Sequence, residues 1–227
     1  LLSLQEWEED HPYGIGNTYD DLSQITNHTV TDLPPQTVIT DRSYAYDANG
    51  NLEQMGGATI NIDPNSNRLE ENSDTHYDAN GNLIEHEGNT VVYDWRNRMS
   101  SYYITVEYIT HCFSYVTYGT RVKSSAAGPS TNELTYYINS GPRPLVEYDD
   151  NWAAEIEHLY ANGQRIGYIY PGEDLYYVVV DQIGSERMLV DESEEVRQLR
   201  THLPYGKQTR NASGNISDYQ FSGKRKD

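Results

Sequence analysis

The chain has 227 residues and a net charge of −19, with 16 Lys and Arg against 35 Asp and Glu. This balance repels phosphate backbones and anionic lipid, which excludes nucleic acid as a partner, and no apolar run reaches the roughly 20 residues that a membrane-spanning helix needs. Val, Leu, Ile and Phe make up under a fifth of the residues, a composition of disordered chains, but 21 tyrosines point to order. A tyrosine ring buries a large area, its hydroxyl finds a polar partner, and the residue favours strands.

The first 35 residues carry the least pattern. Y-D-A-N-G-N-L then occurs at 46–52 and again at 77–83, and Tyr-Asp also stands at 19–20, 93–94 and 148–149. Tyr102, Ile104, Val106 and Tyr108 alternate with Tyr103, Thr105, Glu107 and Ile109, so a strand is expected to run through 102–109. W-A-A-E-I-E-H-L-Y at 152–160 reads as a strand entering a hairpin at Asn162-Gly163. Tyr177–Val180 is apolar on both faces, the pattern of a strand covered on both sides. Asn-Gly at 49–50, 80–81 and 162–163 suits two-residue hairpins. No long apolar stretch has a period of 3.6. The fold class is all-β.

The repeated heptapeptide has a physical reading. Tyr46, Tyr77 and Tyr93 each end a strand and are expected to stack on the next repeat. Asp47, Asp78 and Asp94 accept from backbone N–H groups in an Asx-turn. Asn49-Gly50 and Asn80-Gly81 supply a positive-φ corner, and a leucine opens the return strand. Such a unit cannot bury its own face and needs a neighbour on each side.

The Y-D-A-N-G-N-L pair resembles the YD repeats of the Rhs family. V-V-Y-D-W-R-N-R-M at 91–99 and S-Y-V-T-Y-G-T-R-V-K at 114–123 are similar to variants of those repeats. Y-V-V-V-D-Q-I-G-S-E-R-M-L-V-D at 177–191, L-P-Y-G-K at 203–207 and Y-Q-F-S-G-K-R-K-D at 219–227 resemble the Rhs repeat-associated core, in its order. Two histidines of the family's H-T-D-H are here Val179 and Gln182, so no role passes to them. The resemblance covers about 44–227 and implies YD-repeat hairpins coiled into part of a hollow β-shell. Residues 1–40 would continue the shell, 41–125 would be YD repeats, and 126–227 the associated core, stopping before the region where some members cut themselves. Asp181, Gly184, Tyr205, Gly206 and Gly223 join the heptapeptide residues as structural repeat positions. The resemblance also implies a secreted or cell-surface location. The partners it implies are the rest of a parent chain or further copies, together with an enclosed effector polypeptide.

Other constellations are weak. Asp47-x-Asn49-x-Asn51 and Asp78-x-Asn80-x-Asn82 share spacing with calcium loops, but Leu52 and Leu83 stand where glycine belongs. The seven histidines lack zinc spacing. Cys112 is the only cysteine, so it has no internal disulfide partner. No cofactor fingerprint occurs. The chain begins without Met, so missing targeting signals say nothing about its parent. The leading expectation is a non-catalytic structural segment of a shell that encapsulates or presents a toxin polypeptide. The alternative is a cell-surface adhesion or carbohydrate-binding module that meets glycan or protein. A glycosidase using paired acids ranks third.

Overall fold

A computed structural model describes residues 4–6, 13–32, 38–172, 174–212, 216–220, 222 and 224. Gly223 lies outside the described residues. The chain divides into two compact units, Leu1–Asn72 and Ser73–Asp227, so the division falls within the stretch 41–125.

The first unit holds a six-stranded antiparallel meander: β1 (Leu4–Glu6), β2 (Tyr13–Tyr19), β3 (Ile25–Asp32), β4 (Val38–Tyr46), β5 (Leu52–Met55) and β6 (Ala58–Thr59). A separate hairpin pairs β7 (Ile62–Asp63) with β8 (Arg68–Leu69). The weakly patterned N-terminal region therefore holds long paired strands, β2 and β3. Gly, Thr and Asn interrupt their apolar alternation, which hid them from a periodicity test.

The second unit is one sheet of fourteen strands. It begins with β9 (Thr75–Tyr77), β10 (Leu83–His86), β11 (Asn89–Tyr93), β12 (Met99–Ile104) and β13 (Ile109–Tyr115). It continues through β14 (Arg121–Ala127), β15 (Asn132–Ser140), β16 (Arg143–Tyr148), β17 (Ala154–Ala161) and β18 (Gln164–Tyr170). It ends with β19 (Asp174–Val180), β20 (Glu186–Asp191), β21 (Val196–His202) and β22 (Gln208–Ala212). Every strand pairs antiparallel with its sequence neighbours, and β9 and β22 are the two edges, so this sheet does not close into a barrel.

One face of this sheet carries the core. Tyr168, Leu189 and Tyr219 form it, with Ile156, Tyr170, Val178 and Ile216 packed against them. Residues 216–220 lie across the sheet rather than extending it. The other face is open. Val179 is 44% exposed and Tyr177 50%, so β19 is covered on one side only, contrary to the pattern of its sequence. The expected strand through 102–109 also breaks: β12 stops at Ile104, Tyr108 takes φ 55°, and Val106 is exposed at the tip of a hairpin. Alternation there continues through a turn, because the Thr105 N–H is tied to Asn89 Oδ1 and its hydroxyl donates to the Gly88 carbonyl.

Candidate functional site: a turn ladder and a buried polar anchor

Seven hairpins among the described residues close on the same aspartate turn. In each, one carboxylate oxygen accepts the N–H groups two and four residues on. The aspartates are Asp20, Asp47, Asp78, Asp94, Asp149, Asp181 and Asp191. The backbone closes in step: Asp47 N–H donates to Asn51 O at 2.9 Å and Gly50 N–H to Asp47 O at 3.0 Å. Only the fourth residue takes positive φ, for example Gly50 at 84° and Gly81 at 86°. This is a three-residue loop, a type I turn followed by a left-handed residue. It corrects the two-residue expectation at 49–50 and 80–81. Asn162-Gly163 alone keeps that form, with both residues at positive φ and Ala161 paired to Gln164.

The aspartate supplies enough fixed acceptor that the corner residue can vary. Asn97, Gly184 and Glu194 fill it in other turns, and Trp152 does so at φ 62°. A bulky residue there is an outlier, compensated by stacking on Tyr136 with centroids 4.7 Å apart. Tyr205 and Gly206 occupy a different turn, where Pro204 precedes two left-handed residues and Gly206 N–H donates to Leu203 O.

The turns bond to one another. Asn80 and Asn82 amides both donate to Asn97 Oδ1, at 3.3 and 3.0 Å. Asn49 and Asn51 do the same to Asn67 Oδ1, at 3.0 and 3.1 Å. One turn further, Arg96 donates to Thr117 O and Arg98 to Val116 O. The tyrosines run the opposite way. Tyr46 donates to Ile25 O, Tyr93 to Leu83 O and Tyr115 to Met99 O. Each acceptor opens the return strand of the preceding aspartate turn, paired with that turn's own tyrosine, namely Tyr19, Tyr77 and Tyr93. This backward hydrogen bond from the hydroxyl is a link between repeats that the expectation of ring stacking did not include.

These aspartates act as anions in the turns. Asn51 beside Asp47, Asn82 beside Asp78 and Arg98 beside Asp94 hold their carboxyls below the ordinary value, with turn N–H groups adding to the effect. Asp47 Oδ2 accepts from Asn51 Nδ2 at 2.8 Å while Oδ1 takes two amides. Its oxygens thus serve the turn, and no His, Cys, Asp and Glu grouping suited to a metal occurs among the described residues.

Sequence reasoning missed the second constellation. Beneath residues 216–220 lies a buried set of polar side chains from five strands. Tyr219 donates to Glu147 Oε1 at 2.8 Å, and His158 Nε2 lies 2.9 Å from the same oxygen. Arg200 donates to the carbonyls of Ser217 and Tyr219 and lies 3.4 Å from Glu186 Oε2. Arg165 approaches Glu186 at 3.6 Å and stacks over the Tyr219 ring at 3.7 Å. Gln198 Oε1 accepts the N–H groups of Ile216 and Ser217, and Tyr170 donates to Ile216 O. Glu147, Glu186, Gln198, Arg200 and Ser217 are each at most 2% exposed. Burial pushes the Glu186 carboxyl up to about 7 against the pull of Arg165 and Arg200. Burial, aided by Arg187 and Arg200, pushes His202 down to about 4. The set binds the chain's own backbone, and its chemistry is that of an anchor.

Fold and turns together define a class: an all-β meander of Tyr-Asp hairpins, the fold of the Rhs/YD-repeat shells. Among solved structures, the chain is similar to one in the crystal structure of TcdB2-TccC3-Cdc42, with a TM-score of 0.73, 17% identity and 94% of this chain covered. A second likeness is to TcdB2-TccC3-TEV, with a TM-score of 0.60, 14% identity and 96% covered. The chain spans 13% and 11% of those chains. No family model matches the sequence, and no curated protein does.

Proposed function

We propose that this chain is a non-catalytic stretch of wall in an exported YD-repeat protein, and that the wall encloses a toxin or effector polypeptide. One observation supports the reading above the rest. The Asp47, Asp78 and Asp94 turns use their carboxylates to hold themselves together and their amides or guanidiniums to hold the next turn, so these polar groups are committed to construction. β9 and β22 are sheet edges, and edge strands are templates for further pairing. The rest of a parent chain, or another copy, supplies those strands. The likeness to TccC3-containing structures fits a wall segment.

The test is protease protection in the parent protein. The enclosed polypeptide should resist digestion in the intact protein and become sensitive when Asp78 and Asp94 are both replaced by Ala. Equal digestion in both proteins would overturn the proposal.

A second reading, glycan binding at a cell surface, is favoured by one feature. Trp95 is 81% exposed and Tyr118 96%, on turns joined by the Arg96 to Thr117 bond. Exposed aromatic faces suit sugar rings, and quenching of tryptophan fluorescence by oligosaccharides would separate this reading from the wall.

A further inference from the structure

Four of the chain's 16 basic side chains gather in one place. A cavity of about 780 Å³ opens beside the β15–β16, β17–β18 and β19–β20 turns, lined by Arg121, Arg143, Arg165 and Lys224. Its two acidic residues are Asp181 and Glu186. Asp181 already accepts the Ile183 and Ser185 N–H groups, and Glu186 sits between Arg165 and Arg200. The cavity therefore reverses the sign of a chain whose net charge is −19. Concave, low-dielectric walls focus such a field.

The guanidiniums are held in advance of any ligand. Arg121 lies 4.2 Å over Phe113, Arg143 6.0 Å from the Tyr160 centroid, and Arg165 3.7 Å over Tyr219. A Cβ at position 163 would fall 2.8 Å from Arg143 Nη2, so Gly163 both makes its turn and leaves room for that side chain. Side chains fixed before binding lose little entropy on binding.

We infer that this cavity is a binding site for carboxylate side chains of an extended acidic polypeptide segment. Guanidinium forks match carboxylates in geometry. Pro142, Pro144 and Tyr160 give apolar wall for the stems of such a segment. The volume lies in the range of pre-formed ligand sites, and the charge of the surrounding chain disfavours a long polyanion. The inference is independent of the wall reading, since it concerns what the cavity holds.

The test is calorimetric titration of the whole chain with hexaglutamate, hexaglutamine and inorganic phosphate. Hexaglutamate should bind saturably and more weakly as salt rises, hexaglutamine should not bind, and phosphate should bind far more weakly. Arg143→Glu with Lys224→Glu reverses two exposed charges and should weaken hexaglutamate binding by roughly tenfold or more without moving the melting temperature. Lys207→Glu, outside the cavity, should leave the affinity unchanged. If the double variant unfolds, Arg143→Gln alone should still weaken binding. Equal affinity for hexaglutamine, equal affinity in the Arg143 variants, or phosphate binding as tight as the peptide would each overturn the site.

Discussion

The turns joining β9 to β14 and the anchor beneath residues 216–220 solve the same problem by opposite means. Those at 78–82, 94–98 and 116–120 are exposed at their tips, each closes over five residues, and the first two touch the next through amides or guanidiniums. The anchor is buried, and its partners are far apart in the chain: Tyr219 reaches Glu147 and Ser217 reaches Tyr168. An exposed hydrogen bond exchanges with water and contributes about 1 kcal/mol net. A buried charge stripped of its partner costs several. The ladder is thus built from many small, replaceable contacts, and the anchor from a few that fail together.

The sharpest break of that contrast is Arg200→Ala. It removes the donor to two strap carbonyls and a partner of Glu186, and should cost about 3–5 kcal/mol in urea unfolding. Residues 216–220 should then become protease-sensitive. Tyr219→Phe takes one donor from buried Glu147 and should cost about 1–3 kcal/mol. Gly81→Val should cost about 1 kcal/mol or more, through the positive-φ penalty alone. An unmoved melting temperature there would remove Gly81 from the turn corner.

Two pH experiments separate the regions further. The Glu186 pKa is raised from 4.5 to about 7. The folded state then keeps a proton that the unfolded chain has lost, so this group lowers stability as pH rises from 4.5 toward 7. Glu186→Gln should flatten that slope. The turn aspartates act in the opposite sense. Their folded values lie below 3.8, so their contribution is present above 3.8 and lost as pH falls through the folded values. Asp78→Ala should give the smallest drop in melting temperature of the set and should weaken that acid limb.

The aspartate's part in its own turn was readable without coordinates at the repeated motif, while the length of the loop was not. Asp47, Asp78 and Asp94 stand in Asx-type turns because carboxylate, amides and corner residue lie within five positions. Direction between repeats was not readable. Nothing in Y-D-A-N-G-N-L states that Tyr93 reaches back to Leu83 while Asn80 reaches forward to Asn97. The anchor was invisible for a similar reason. Gln198 and Arg200 stand two apart along β21 like a solvated polar face, and residues 216–220, whose backbone they bond, lie over them.

What the amino-acid order determined by itself is the strand-and-turn alphabet: all-β, antiparallel, closed by aspartate at repeated corners. Turn energies depend on neighbours within a few residues, so the local sequence contains them. The tertiary structure alone decided which polar side chains are buried, which face of β19 stays open, and where four cations meet. Burial and field depend on the segments that fold back over a strand, and a linear pattern carries no record of them.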